Sequence, residues 1–330
     1  MTLPRAANPW AIPDGRLILP AGAPREQWLA ARRKGLGSSD VALLMGVAEG
    51  GSEYGLWLDK VRGHESAQSG AMQRGQWLEP HLADHFAGET GLSVRRCGLI
   101  RHRVIAHNLA TPDRLVEDGA CLEIKSMGTH AKVRAQWRDG GIAAHAYCQL
   151  QWQLMVSGRA HGWMVAYEID QPPMIRGPVD RDESLIARMN TRATAWWASH
   201  VIKNAPPPVD LETITDEEIR LRWPQAQPGS TRQAEWPHYV RALLAERAEL
   251  KAAESGAKAR AKEIDQALKV MIGDAEVLLV GDRPMMTLKN QLNNPSVDPS
   301  LEVDHPDIYS TYITRGSSRR IHVVKGWDKA

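Results

Sequence analysis

Residues 111–125 read TPDRLVEDGACLEIK. Two apolar arms flank Asp118-Gly119, a dipeptide that favours a tight β-hairpin. Yet Asp113, Glu123 and Lys125 are charged where Leu115, Val116, Leu122 and Ile124 promise burial. Side chains alternate along a strand, so Glu123 and Lys125 share one face. Whether Asp113 joins them depends on the loop. A two-residue Asp118-Gly119 turn pairs Glu117 with Ala120 and sets Asp113 opposite Ile124, on the wrong face. A loop of Glu117, Asp118 and Gly119 pairs Val116 with Ala120 and brings Asp113 opposite Glu123. Gly119 suits the left-handed position that this longer loop needs, so this is the expected register.

Two carboxylates and an ammonium then meet at one point. Close carboxylates repel and push one pKa up unless something positive sits between them. A divalent ion does this, and hard oxygen ligands suit Mg²⁺ or Mn²⁺; Mg²⁺ typically keeps waters and binds substrate phosphate at its open positions. Lys125, a compact charge, can orient a water or stabilise charge on a phosphate. Together these parts describe metal-assisted phosphodiester hydrolysis. The plain alternative is an edge-strand salt-bridge cluster. A second Glu-x-Lys, Glu249-Leu250-Lys251, sits in a helical stretch without the companion acid.

Working outward, "REQWLAARRKG" reads as a helix ended by Gly35, and "SSDVALLMG" starts another with Ser38, Ser39 or Asp40 as its cap. Residues 71–90 read as a helix whose start Pro80 should displace or kink, with Gly91 as its stop. Short strands are expected near 93–104. "HAYCQLQWQLMVSG" is a helix closed by Gly158, and "HGWMVAYEI" a strand. The order predicts an α/β fold with a central mixed sheet flanked by helices.

Composition divides the chain into an N-terminal extended segment, 1–24, a mixed core, 25–205, and a C-terminal region, 206–330, entered through the stiff "NAPPPVD" of 204–210. From about 233 to 272 the chain is rich in Ala, Glu, Lys and Arg, with apolar residues every three, four or seven positions. That predicts a long amphipathic helix, or a helical hairpin breaking at Ser255-Gly256. "EVLLV", "PMMTLK" and "RRIHVV" read as short strands. The apolar helix face must pack on those strands, on the core or on another chain, and the region is expected to serve assembly or docking.

With 43% hydrophobic and 24% charged residues, a chain of 330 is globular and large enough for about two domains. A net charge of +2 and a pI near 8.4 exclude an overall basic coat, so a polyanion must meet a local patch. No segment approaches the ~18 apolar residues of a membrane span, which reads as a soluble cytoplasmic protein. Cys97, Cys121 and Cys148 lack metal or disulfide spacing and read as small buried hydrophobes. His81 and His85 lack the glutamate of HExxH and read as solvated or satisfied histidines.

"TPD…LEIK" resembles the PD-(D/E)xK nuclease motif. Trp28, Arg32, "GLGSSD" at 35–40, "GQWLEP" at 75–80 and "AYCQLQW" at 146–152 make the surroundings similar to the YqaJ-type viral recombinase, or lambda-exonuclease-like, family. The resemblance spans roughly residues 25–170. It implies a restriction-endonuclease-like core, to which the C-terminal long helix and small β extension are added. Asp113 and Glu123 would bind metal with Glu79 completing the set, Lys125 would be the catalytic lysine, and Gln149 would help position water or phosphate. Trp28, Arg32 and Ser39 would correspond to a pocket for a terminal 5′-phosphate. The chemistry agrees: Trp28 and Arg32 are one helical turn apart, and a hydroxyl at a helix N-terminus suits phosphate.

Each of these has a bland counterpart: Trp28 as core, Arg32 as surface, Ser39 as a cap, Gln149 as solvated. The family implies an Mg²⁺-dependent 5′-to-3′ exonuclease, with Mn²⁺ as substitute and two ions per site. It would resect double-stranded DNA ends to expose single strand for recombination. A single-strand annealing protein as partner and a homo-oligomer such as a trimeric ring are implied as well, in the bacterial host cytoplasm if phage-encoded. A restriction- or repair-type endonuclease and a non-catalytic DNA-end binder are the alternatives. Arg95, Arg96, Arg101 and Arg103, with Lys132, Arg134 and Arg138, are candidates for a basic track along the DNA backbone.

Overall fold

The computed structural model describes residues 8–64, 70–127, 131–169, 171–288 and 300–312. These form two compact units, residues 1–222 and 223–330. In chain order the first unit contains β1 (Gly15–Leu19), α1 (Arg25–Arg32), α2 (Ser38–Leu44), α3 (Glu53–Trp57), α4 (Gly70–Thr90), β2 (Val94–Arg96), β3 (Leu99–His102) and β4 (Leu109–Ala110). It continues with β5 (Arg114–Val116), β6 (Cys121–Ser126), α5 (Ala131–Gln136), α6 (Ala144–Ser157), β7 (His161–Tyr167), β8 (Met174–Asp180), α7 (Glu183–Trp196) and α8 (Asp216–Arg222).

The central sheet runs β2-β5-β6-β7-β8 and is mixed, with β6 and β7 parallel and the other pairs antiparallel. Parallel neighbours need a crossover, and α6 lies within it. The hairpin has the expected register: Arg114 faces Leu122 and Leu115 faces Cys121, with Val116 N–H donating to Ala120 O at 2.9 Å. Gly119 has φ +92°, the conformation that the three-residue loop requires.

Alternation sorts the sheet residues between two cores. Leu122 and Val165 pack with Leu82 and Phe86 of α4; Cys121, Met164 and Ala166 pack with Leu150 and Leu154 of α6. The opposite side of α6, Cys148, Trp152 and Met155, packs against a further layer that includes Val41 and Leu44 of α2 and Met189 of α7. α6 is therefore buried on two sides, which is why "AYCQLQWQLMV" shows no narrow apolar stripe. The N-terminal segment supplies β1 to a smaller sheet, β1-β3-β4.

Three local expectations change. α2 is capped by Gly37, whose N–H donates to Asp40 Oδ2 at 2.9 Å, so Asp40 reaches back from the third helical position instead of capping by itself. α4 runs from Gly70 to Thr90 through Pro80. A proline there forfeits one backbone hydrogen bond, and the burial of Leu82, Ala83 and Phe86 just beyond it offsets the loss. The first unit also extends past the proline-rich linker to Arg222. Glu218 of α8 accepts from Ser52 Oγ at 3.0 Å, and the Arg222 guanidinium lies 4.7 Å from the Tyr54 ring centroid.

The second unit holds α9 (Pro237–Ile272), the antiparallel pair β9 (Val277–Val280) and β10 (Arg283–Thr287), α10 (Leu301–Asp304) and α11 (Pro306–Tyr312). α9 is one continuous helix through Ser255-Gly256, not a hairpin. The strand expected at Arg319–Val324 lies outside the described residues. Among the described residues, no helix is long and apolar enough to cross a membrane.

Candidate active site

Glu123 and Lys125 project from β6 toward α6, and Asp113 stands at the foot of β5. Lys125 Nζ lies 2.5 Å from Glu123 Oε1 and donates to Gln149 Oε1 of α6. One turn further along α6, Gln153 Nε2 donates to Glu123 Oε2 at 2.5 Å. One turn earlier, His145 Nε2 lies 3.4 Å from Glu49 Oε1, a carboxylate on the loop after α2. His145, Gln149 and Gln153 are spaced by four and make one helical face over the sheet residues. Asp113 Oδ2 accepts from the Ile124 N–H at 2.7 Å, which ties the acid to the strand carrying Glu123 and Lys125.

Burial drives the Asp113 carboxyl well above its usual range, and the nearby Glu123 and Glu79 charges push it further; Lys125 and the Ile124 N–H offset only part of this. Burial alone would lower the Lys125 pKa, but Glu123, Asp113 and Glu49 together hold it above the ordinary lysine value. His145 is lowered, first by burial and then by Lys125, against the pull of Glu49 and Glu123.

Glu79 stands on α4, the helix that covers the other face, and its Oε1 takes Arg114 Nη1 at 2.5 Å. Among the described residues no three acids, histidines or cysteines stand close enough to cage an ion. The electrostatics nevertheless fit a cation. Asp113 and Glu123 bring two carboxylates to one half-buried lysine, and the buried Gln153 Oε1 has no hydrogen-bond partner among the described residues. Acceptors exceed donors where a hard cation, or water bound to it, would find ligands.

The residues proposed for phosphate also come together. Arg32 Nη2 donates to Ser39 Oγ at 2.8 Å and to Asp40 Oδ1 at 2.9 Å, and the guanidinium lies 5.2 Å from the Trp28 ring centroid. Asp40 also takes the buried Lys60 Nζ at 2.8 Å. Although burial would raise it, Lys60 and Arg32 hold the Asp40 pKa at about 2. The shared carboxylate fixes Arg32 without claiming its charge alone.

The basic track is less uniform than its composition suggests. Arg95 stacks over Trp10 at 4.3 Å, Arg103 Nε donates to Pro13 O, and Arg134 pairs with Glu168 at 2.7 Å. The side chain of Lys132 lies outside the described residues. Cys121 and Cys148 are buried in the core and Cys97 is half-buried against it; burial pushes Cys121 up to about 11 and Cys97 and Cys148 up to about 12.

Glu49, Arg114, His145 and Gln153 escaped the reading of the sequence. His145 and Gln153 had a usable signal in their spacing from Gln149. Glu49 and Arg114 had none, because only the tertiary fold sets them beside His145 and Glu79.

Residues 27–160 match the family described as the YqaJ-like viral recombinase domain. The uncharacterized protein YqaJ of Bacillus subtilis (strain 168) is 28% identical over 291 residues, covering 86% of this chain and 89% of that protein. This alignment is longer than the 222 residues of the first unit, so it runs on into the second. Among solved structures, LHK-Exo in complex with dAMP is 31% identical over 54% of this chain and 93% of its own, with a TM-score of 0.48. A second structure, of LHK-Exo as an alkaline exonuclease from Laribacter hongkongensis, has the same identity and coverage and a TM-score of 0.47. A phage-related exonuclease from Haemophilus somnus 129PT is 13% identical over 52% of this chain and 96% of its own, with a TM-score of 0.39.

Proposed function

Since residues 27–160 belong to the YqaJ-like viral recombinase domain family, we propose that this chain is a metal-dependent exonuclease that resects double-stranded DNA from its ends. The observation that carries the reading is the convergence of the buried Glu123 with the half-buried Asp113 and Lys125 over one face of α6. A salt-bridge cluster for stability would match its charges. Here a second carboxylate is held beside Glu123 at a cost visible in the raised Asp113 pKa.

In this proposal Asp113 and Glu123 hold Mg²⁺, or Mn²⁺ in its place, and Glu79 adds negative charge from its bond with Arg114. The ion, when bound, supplies Lewis-acid polarisation of the scissile phosphate and a water of lowered pKa. The protein's part is orientation and charge. Lys125 places a cation where negative charge grows on the phosphate. Gln149 and Gln153 hold Lys125 and Glu123 in their rotamers, so little reorganisation is needed during reaction. Trp28, Arg32 and Ser39 bind a terminal 5′-phosphate: Arg32 is pre-oriented by Asp40 and Trp28, and Ser39 offers a hydroxyl. A grip on that phosphate favours ends over internal sites and 5′-to-3′ polarity. The exposed single strand would then serve recombination, with an annealing protein as partner.

The test is a linear duplex carrying one labelled 5′-phosphate, beside a closed circle, each with Mg²⁺ and with chelator. Mononucleotide release from the linear DNA alone, abolished by chelator, is expected. Cutting of the circle would assign an endonuclease, and no cleavage of either would leave a DNA-end binder.

A further inference from the structure

Away from the candidate active site, α9 is where residue type and environment disagree most. It is 36 residues long, about 54 Å at 1.5 Å per residue. Trp236 before it and Val240, Leu243, Leu250, Ile264 and Met271 along it each expose between 40% and 68% of their surface. An exposed apolar stripe of this length marks a contact surface.

The stripe has the spacing of a coiled coil. From Val240 to Leu268 the seam steps alternately by three and four residues, an average of about 3.5. Two seam positions are charged, Arg247 and Glu254, and they decide between arrangements. In a parallel pair of identical helices, each seam residue meets its own copy, so Arg247 would face Arg247 and Glu254 would face Glu254.

Antiparallel pairing removes both clashes. One register sets Val240 of one copy opposite Ile264 of the other, Leu243 opposite Ala261 and Trp236 opposite Leu268. In that same register Arg247 packs on Ala257 and lies within about one turn of the other copy's Glu254, and Glu246 lies beside Arg260. Sliding by a heptad separates Arg247 from Glu254 or Glu246 from Arg260, so charge selects the register as well as the direction. Two features oppose it: Leu250 packs on the charged Glu254 of the other copy, and Lys251 comes near its own copy at the two-fold axis. Its Nζ is already held 2.7 Å from Glu254 of the same helix. A shallow open groove on α9 is lined by Leu243, Glu246, Arg247 and Leu250, the four-residue frame into which a seam side chain of a facing helix inserts, together with Lys251 and Glu254.

We propose that α9 is a self-association surface that pairs antiparallel with α9 of a second copy of this chain. This does not depend on the nuclease reading, because no residue of the candidate active site lies in the second unit.

The test uses the full-length protein, its mass measured by sedimentation equilibrium over a wide concentration range. Reversible association is expected, and Leu243→Glu should raise the dissociation constant on the order of a hundredfold. Arg247→Glu should weaken association about tenfold by meeting Glu254 of the other copy, and Arg247→Glu with Glu254→Arg should restore it. If Leu243→Glu unfolds α9, the charge swap still decides, since it leaves every apolar seam residue in place. A monomer at all concentrations would overturn the proposal and point to another occupant, such as an annealing protein. Association unmoved by Leu243→Glu would place the interface elsewhere, and a double swap that keeps the helicity of α9, read by circular dichroism because Glu254 also pairs with Lys251 and Lys258 of its own helix, yet fails to rescue the single one would rule out the antiparallel register.

Discussion

Glu123, in the middle of a sheet, is 5% exposed, whereas Leu250, on the surface of α9, is 63% exposed. Each is the wrong residue for its surroundings, in opposite senses. Burying a carboxylate costs free energy unless charge and hydrogen bonds compensate, and exposing a leucine forgoes the roughly 1.5–3 kcal/mol of its burial. Around Glu123 the first unit supplies Lys125 and Gln153 and still leaves Asp113 with a raised pKa. Around Leu250 the described residues provide no comparable cover. The first mismatch is one a small charged ligand can relieve. The second needs a surface, and so a macromolecule. A buried polar group and an exposed apolar stripe are the two informative departures from ordinary burial, and this chain carries one in each unit.

The strongest way to break the contrast is to remove the unrelieved charge. Asp113→Ala should lower single-turnover cleavage of a linear duplex by about three orders of magnitude or more and weaken metal binding with it. Retained cleavage would make the sheet face a structural ion cluster after all. Arg32→Ala should erase most of the preference for 5′-phosphate over 5′-hydroxyl ends, a difference of roughly 1.5–3 kcal/mol, read from paired rates on the two substrates. Gln153→Leu sharpens the account of how Glu123 is held. It should cost about 10–100-fold in metal affinity, measured by titration, with the fold kept by a side chain of similar size.

Much of the first mismatch was legible in advance, and for a local reason. Asp118-Gly119 and strand alternation together determine which residues face one another, and Gly119 takes the positive φ that selects the three-residue loop. Trp28, Arg32, Ser39, Glu79 and Gln149 were picked out by resemblance, since nothing in their spacing alone separates them from cap, core or surface. What stayed hidden depends on long-range packing. Glu79 pairs with Arg114, Glu49 reaches His145, and Asp40 shares Lys60 with Asp59, none of which periodicity can show. Pro80 misled because local propensity was overridden by the packing of Leu82 and Phe86 beneath the helix. On the second unit, periodicity predicted α9 and its apolar face, but not whether Ser255-Gly256 would break it.

The smallest expected effect tests whether the two mismatches are separate. Ser52 and Tyr54 contact α8, so the first unit ends at Arg222, and a cut after Lys203 would strip contacts from its core. Truncation after Arg222 should leave single-turnover cleavage within about twofold, as for a domain with its own core, while lowering the association state. A folded truncation with no cleavage would mean that the second unit completes the active site.

In the proposed function Glu123 and Lys125 on β6 perform chemistry and do not merely hold the sheet together. Lys125→Met, which keeps the length of the side chain and removes its charge, addresses this most directly when metal binding, DNA-end binding and cleavage are measured on one preparation. Both binding constants should change little while single-turnover cleavage falls by about three orders of magnitude, the signature of an interaction made only in the transition state. Near-normal cleavage by the folded Lys125→Met protein would contradict it.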